Sequence, residues 1–324
     1  MTLRSAPTFF SFPADALAHG AEVAAVVAGL MAESPSVSPK YLYGPLGSRL
    51  FDAITELPEY YPTRTERALL EACRDSVARA AGPAPTLIDL GAGNCEKARS
   101  LFQALKPGQY VAVDISVDFL RHTLSQLQRD FPELEMLGIG ADFSSGLRLP
   151  DAVRHDNRLF FYPGSSIGNF TPEQALTFLA GIRAQCAGAH GGGLLIGVDL
   201  VKSETLLQAA YDDALGVTAA FNLNLLNNLN ALIGSDFAVG DWRHHALFNT
   251  QASRIEMHLE ARRDLSVHWP GGTRAFRQGQ RIHTENSYKY ALPDFKALLL
   301  QAGFGRVQAW TDANHWFALC HAAI

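Results

Sequence analysis

Several places in the chain combine residue types with spacings that can do chemistry. Asp89-Leu90-Gly91-Ala92-Gly93 closes a short apolar run and opens a helical pattern. Glycines there let a ligand approach the backbone, and the helix start offers unpaired N–H groups. A tight strand-to-helix turn with no ligand is the plainer reading of the same residues. A dinucleotide fingerprint would place a third glycine at position 96, where the chain has Glu96, which counts against a nicotinamide cofactor. Asp114 ends the next apolar run. An acid there can accept hydrogen bonds from two ribose hydroxyls, or it can simply cap the following helix. Asp142-Phe143 follows a third run, and a carboxylate beside a ring suits the exocyclic amine and flat face of adenine. No G-x-x-x-x-G-K-[ST] loop is present. A nucleoside site without a phosphate grip is what S-adenosyl-L-methionine requires.

A second group lies late in the chain. Glu285 and Ser287, two apart in a strand-like segment, share a face, and a carboxylate and a hydroxyl there can engage the two nitrogens of an imidazole. The alternative is a surface acid paired with Lys289 or Arg281. His244-His245 has no third ligand near it in sequence and is expected to be a loop pair, so no metal is expected. Cys95 is expected to be a small apolar filler at a helix start. The asparagines at 222, 224, 227, 228 and 230 are expected to cap and line a helix and its loop.

The elements that must position these residues follow from the apolar periodicity. Residues 1 to about 20 carry no strong period and are expected to fray. Helices are expected over 21–31, 48–57 and 65–80, the last with Thr65 as its cap. Strands at 86–90, 110–114, 134–140, 158–162 and 193–200 then alternate with helices at 96–105, 117–129 and 171–187. That alternation predicts an α/β fold with a parallel sheet covered on both faces. It breaks after residue 200. Helices are expected at 204–216 and 218–232, then strands at 254–268 and 276–285 joined through Pro270-Gly271-Gly272. A helix at 292–302 and two strands, 306–311 and 316–321, close the chain.

Composition sets the bounds. The 324 residues carry 27 Lys+Arg against 32 Asp+Glu, a formal charge of −5, with 48% hydrophobic and 18% charged residues. This is globular composition, and the mild negative charge argues against a nucleic-acid partner. The cysteines at 73, 95, 186 and 320 make no C-x-x-C pair, so neither a zinc knuckle nor a disulfide framework is indicated. The apolar stretch at 23–32 is too short to span a bilayer, and no basic segment precedes it. A cytoplasmic protein without membrane association is expected.

YLYGPLGSRLFD at 41–52 and LPEYYPTRTE at 57–66 resemble the N-terminal signature of the histidine Nα-methyltransferases of ergothioneine biosynthesis. The resemblance continues through 89–97, 110–116, GSSIGNF at 164–170, YDD at 211–213 and TENS at 284–287, and covers the chain from about Tyr41 onward. It implies a class I (Rossmann-like) methyltransferase sheet with a closing hairpin. The S-adenosylmethionine-binding domain would span 65–200 and 290–324. An α+β substrate-binding domain would span 12–64 and 201–289. Gly91, Lys97, Asp114, Asp142 and Phe143 stand where the family binds S-adenosylmethionine. Tyr60, Asn169, Tyr211, Glu285 and Ser287 stand where it binds the amino acid, with Met257 beside the ring pocket. Tyr43 stands where a tyrosine hydroxyl lies near the reacting amine. With an ordinary pKa of ~10 it is a poor resting base, so its role is to position. Ser165-Ser166, Asn286 and Tyr288 depart from the residues more usual in the family.

The expected reaction is three successive methylations of the α-amine of L-histidine, giving hercynine by way of the mono- and dimethyl forms, on a monomer. Relatives acting on a prenylated tryptophan or in an ovothiol pathway keep other amino acids open. A catalytically silent S-adenosylmethionine-binding protein is the third reading, against which the intact Tyr43, Asn169, Tyr211 and Glu285 set speaks.

Overall fold

The computed structural model describes residues 6–11, 16–143, 146–186 and 192–324. Strand β1 (Thr8–Ser11) is followed by helix α1 (Ala16–Met31), a 3-10 turn over Pro39–Leu42 and helix α2 (Pro45–Thr55). Helix α3 (Tyr61–Ala81) leads into β2 (Thr86–Leu90), α4 (Glu96–Leu105), β3 (Gln109–Asp114), α5 (Val117–Asp130), β4 (Met136–Gly140), β5 (Arg158–Tyr162), α6 (Pro172–Gln185) and β6 (Gly192–Asp199). Next come α7 (Glu204–Tyr211), α8 (Val217–Ile233), β7 (Trp242–Asn249), β8 (Arg254–Ala261), β9 (Leu265–Trp269), β10 (Gly272–Phe276) and β11 (Arg281–Tyr288). Helix α9 (Leu292–Gln301) and strands β12 (Arg306–Thr311) and β13 (Phe317–Ala323) follow. The chain divides into two compact units, with crossings at 12/13, 61/62, 201/202 and 289/290.

The first unit is built on one sheet in the order β1-β4-β3-β2-β5-β6-β13-β12. Strands β2 to β6 run parallel, and β13 returns antiparallel beside β6 with β12 outside it. This is the class I methyltransferase sheet with its closing hairpin. Neighbouring residues along each strand serve opposite core layers, as a two-residue period requires. Ile88, Val111, Phe160 and Ile196 pack on the α6 and α9 side, and Leu87, Tyr110, Phe161 and Leu195 on the side of α3 and α4. Burial on both faces is why these strands read as continuous apolar runs.

The second unit packs α8 against α2 and against the three-stranded antiparallel sheet β11-β8-β7, with β9-β10 as a separate hairpin. Its core includes Leu225, Leu229, Ile255, Leu259 and Ile282.

Four local expectations are corrected. The arm expected to fray contains β1, which adds in parallel to β4 from Thr8↔Leu137 to Ser11↔Gly140; the missing side chain of Gly138 leaves room for the Phe9 ring. Helix α3 starts at Tyr61, so Thr65 lies inside it. Pro62 occupies the first turn, where its absent N–H leaves no bond unmade. The single strand expected over 254–268 is two, β8 and β9, parted at 262–264. Finally, His244-His245 is not in a loop. It lies on β7, an unexpected strand paired with β8 from Trp242↔Ala261 to Asn249↔Arg254. Among the described residues no helix is long and apolar enough to cross a membrane.

Candidate functional site

In the first unit the predicted cofactor residues gather at the carboxyl ends of β2, β3 and β4. The chain leaves β2 through Gly91 (φ +71°) and Gly93 (φ +51°), backbone conformations that favour glycine. The N–H groups of Gly91 and Ala92 both donate to the Val113 carbonyl, which ties this turn to β3. The Asp114 carboxylate completes the tie. Its Oδ2 accepts the Gly93 N–H at 2.9 Å and its Oδ1 the Ser116 N–H at 2.8 Å. Each oxygen keeps a further lone pair for an outside donor. Phe143 closes over the turn, its Cζ 3.8 Å from where a Gly91 Cβ would sit, and its ring meets Tyr162 edge to face at 5.7 Å. A larger residue at 91 would fill the space between turn and ring.

Lys97, the second residue of α4, donates to Glu66 Oε2 at 2.6 Å. Glu66 is fully buried, and its two oxygens also accept the Gly164 N–H at 2.8 and 3.0 Å. This carboxylate therefore joins α3, α4 and the loop after β5. That loop continues through Ser165, whose hydroxyl accepts the Asp199 N–H at 2.8 Å, to a 3-10 turn ending at Asn169. Glu66 belongs to the LPEYYPTRTE run, but the sequence reading gave it no role. A signal existed: it sits on the apolar stripe of α3 with Leu69, Leu70, Cys73 and Val77, where an acid must have a partner. Asp89, beneath the glycine turn, accepts from the Tyr110 hydroxyl at 2.8 Å, and burial pushes it up to about 7. Burial likewise pushes the Cys95 thiol up to about 12, so Cys95 is no nucleophile at neutral pH.

In the second unit, Tyr43, Tyr60 and Tyr211 belong to one aromatic cluster with Phe51 and Phe221. Tyr43 meets Phe51 and Phe221 edge to face at 5.6 and 5.5 Å. Tyr60 meets Phe51 at 6.1 Å and Tyr211 at 6.2 Å. Phe51 and Phe221 had no assigned role, because single aromatics at helical spacing read as ordinary core. The Tyr41 carbonyl, two residues before Tyr43, accepts from Asn228 Nδ2 at 2.7 Å, so α8 holds this segment in place.

Glu285 and Ser287 lie on the buried face of β11, and Met257 is the cross-strand partner of Glu285 on β8. A bulge between His283 and Glu285 sets consecutive residues Thr284 and Glu285 both inward. Burial pushes the Glu285 carboxyl up to about 7, with Lys289 opposing. Asn286 and Tyr288 fall on the other face. Asn286 Oδ1 lies 2.9 Å from His283 Nε2, and the Tyr288 hydroxyl accepts from Arg254 at 2.6 Å. These two family departures therefore point away from Glu285 and Ser287.

A polar chain underlies this face. His244 Nε2 donates to the Tyr211 carbonyl at 2.9 Å and its Nδ1 accepts from Asn222 at 2.9 Å, which fixes the tautomer. Asn222 also donates to the His258 carbonyl at 3.0 Å and accepts the Thr284 hydroxyl at 2.7 Å. With both nitrogens of His244 engaged and His245 on the opposite face of β7, the pair cannot converge on one metal ion. Ser287 Oγ lies 2.7 Å from the Tyr211 hydroxyl, and the Lys289 ammonium reaches both, at 2.7 and 3.0 Å.

Comparison with known proteins bears on both units. Residues 22–324 match the sequence profile of a family described as histidine-specific, SAM-dependent methyltransferase. The chain is 40% identical over 307 residues to the histidine N-alpha-methyltransferase of Mycobacterium tuberculosis, a match spanning 92% of this chain and 93% of that one. It is 32% identical over 285 residues to ergothioneine biosynthesis protein 1 of Neurospora crassa, spanning 85% of this chain and 32% of that longer protein. Among solved structures, the CcbJ methyltransferase of Streptomyces caelestis is similar, with a TM-score of 0.47 and 13% identity, covering 84% of this chain and 94% of that one.

Proposed function

This chain belongs to the family of histidine-specific, S-adenosylmethionine-dependent methyltransferases, and from that premise we propose that it methylates the α-amine of L-histidine three times, giving the betaine hercynine for ergothioneine biosynthesis. The observation that carries the reading is the buried Glu285–Ser287 couple facing one way on β11, with Met257 opposite Glu285. A carboxyl and a hydroxyl fixed in that way suit the two nitrogens of an imidazole, while Met257 supplies apolar contact to a ring. A site built to hydrogen-bond a polar ring rejects an analogue without those partners by ~10⁴-fold in favourable cases. Phenylalanine and tryptophan are thereby disfavoured.

The first unit's residues fit the cofactor. Asp114 has lone pairs left for two ribose hydroxyls, and Asp142 and Phe143 suit the adenine. The Gly91 turn admits a close approach to the backbone, and Lys97 with Glu66 forms the charged part of the set. S-adenosylmethionine, when bound, supplies a methyl group on a sulfonium. Methyl transfer needs a neutral amine held in line, so orientation and loss of one proton from the ammonium are what the chain must provide. Tyr43, held edge-on between Phe51 and Phe221, orients the amine through its hydroxyl and leaves the proton to solvent. Tyr60 and Tyr211 line the amino-acid site. Tyr211 is assigned to the substrate carboxylate, and the family resemblance gives Asn169 the same role.

The test is mass spectrometry of each common amino acid incubated with the protein and S-adenosylmethionine. Successive gains of one, two and three methyl groups on histidine alone are expected. Methylation of another amino acid in preference, or none at all, would overturn the assignment.

A further inference from the structure

We propose that Glu66 is a positioning residue of the cofactor site, whose buried carboxylate holds the Lys97 ammonium where it meets the α-carboxylate of S-adenosylmethionine. This rests on the reading above, in which Lys97 meets the cofactor. Glu66 stands on α3, Lys97 on α4 and Gly164 in the loop after β5, all within the first unit. Glu66 Oε2 accepts from Lys97 Nζ at 2.6 Å and from the Gly164 N–H at 3.0 Å, and Oε1 accepts the same N–H at 2.8 Å. The acid's side chain is 0% exposed and the lysine's 29%, so the pair has a sealed end and an open end. Two glycines admit it. A Cβ on Gly197 of β6 would overlap Glu66 Oε1, and one on Gly164 would come within 3.4 Å of Lys97 Nζ.

Sheet order says which part of the cofactor lies there. The strands run β4-β3-β2-β5, and their order reverses at β2, the place where doubly wound folds take their ligands. Asp114 ends β3, on one side of the glycine turn, and Gly164 follows β5, on the other. A cofactor with its ribose on Asp114 and its adenine beside Phe143 directs its aminoacyl chain across the turn toward β5. S-adenosylmethionine has a single anion, the carboxylate of that chain; its ammonium and sulfonium are both cationic. This is the one charged group of the cofactor that Lys97 attracts. An ammonium has three donors, and the bond to Glu66 uses one, which fixes where the nitrogen sits. A lysine side chain left to itself has rotamers to give up on binding, and Glu66 removes that loss in advance. The acid's negative charge also repels the same carboxylate, so positioning and charge act in opposite directions and can be separated.

The test is calorimetric binding of two probes to the full chain. One is S-adenosylhomocysteine; the other is 5′-deoxy-5′-methylthioadenosine, which keeps the adenosine and the sulfur but lacks the aminoacyl chain. Glu66→Gln keeps the length and removes the charge. Glu66→Asp keeps the charge and shortens the reach, and serves alone should the first not fold. Both are expected to weaken S-adenosylhomocysteine about tenfold, the lower end of the loss for a charge-assisted bond, and to leave methylthioadenosine within about twofold. In a Lys97→Met background, Glu66→Gln is expected not to weaken S-adenosylhomocysteine further, since the group it positions is gone. Unchanged or tighter S-adenosylhomocysteine binding in either folded variant would overturn the inference; tighter binding with Glu66→Gln is the mark of a carboxylate that only repels. Equal losses for both probes, the mark of a loosened fold, would overturn it too, as would an undiminished loss in the Lys97→Met background. A parent chain that binds neither probe overturns the cofactor reading instead, so the two failures are told apart.

Discussion

Burial decides what Glu285 can do. In an unfolded chain its carboxyl titrates near 4.5, and in the folded protein at about 7. A raised carboxyl pKa means that the folded state favours the protonated form. The associated stability is therefore fully present below about 4.5 and is lost as pH rises through about 7. Glu285→Gln removes this dependence. Its stability relative to the parent is expected to be unchanged at pH 4 and greater at pH 8, by a term on the order of 3 kcal/mol, seen as a raised melting temperature at pH 8 only. Glu285→Ala is expected to weaken histidine far more than S-adenosylmethionine, and calorimetry showing equal losses would contradict its assigned role. Asp114→Ala should reverse that preference. Its carboxylate also bridges Gly93 and Ser116, so cofactor affinity falls through lost contacts and through a loosened turn together.

At the scale of elements, helix α8 explains the asparagines. Asn222 reaches β7, β8 and the β11 bulge; Asn228 holds the segment before Tyr43; Asn230 accepts from Ser235 and the Phe237 N–H. Asn222 and Asn228 thus tie the helix to other elements and Asn230 to the loop that follows it, while Asn227 donates to Asn224 within the helix. Asn222→Ala leaves the Thr284 hydroxyl, the His258 carbonyl and His244 Nδ1 without this partner. The Thr284 hydroxyl keeps the Met257 carbonyl, so with two groups affected at about 1–3 kcal/mol each a loss of about 2–6 kcal/mol is expected, read as a lower urea midpoint. Helix α6 offers a contrast near Asn169. Thr171 and Gln174 form a reciprocal cap at an exposed helix start, so Thr171→Ala is expected to cost only about 1 kcal/mol.

Across the whole molecule, each unit holds a buried acid raised to about 7 and a histidine lowered to about 4, buried in the first unit and half-buried in the second. Asp89 and His321 are in the first unit, Glu285 and His258 in the second. The histidines resist protonation when folded, so their contribution is lost as pH falls from 6.5 toward 4. The acids' contribution is lost as pH rises through about 7, and the two trends oppose each other between. His321→Gln is expected to gain melting temperature over the parent at pH 4 relative to the same comparison at pH 8. Equal differences at the two pH values would count against burial as the cause.

The sequence by itself determined the parallel sheet, the glycine turn with Asp114 at the end of the next strand, and the residues that share a face of β11. These follow from local rules: periods of two and 3.6, the freedom of glycine, and residue order along a strand. Its motifs also carried the family. It did not show that 1 to about 20 contains an added strand, because β1 is short and gains its stability only by pairing with β4. His244 reads as a loop residue because β7, WRHHALFN, has no alternation of polar and apolar residues and declares itself only beside β8. The partners of Glu66, Asn222 and Lys289 were decided by tertiary structure. Each lies far along the chain from a group it holds, and a hydrogen bond between distant residues leaves no periodic trace in the order of either.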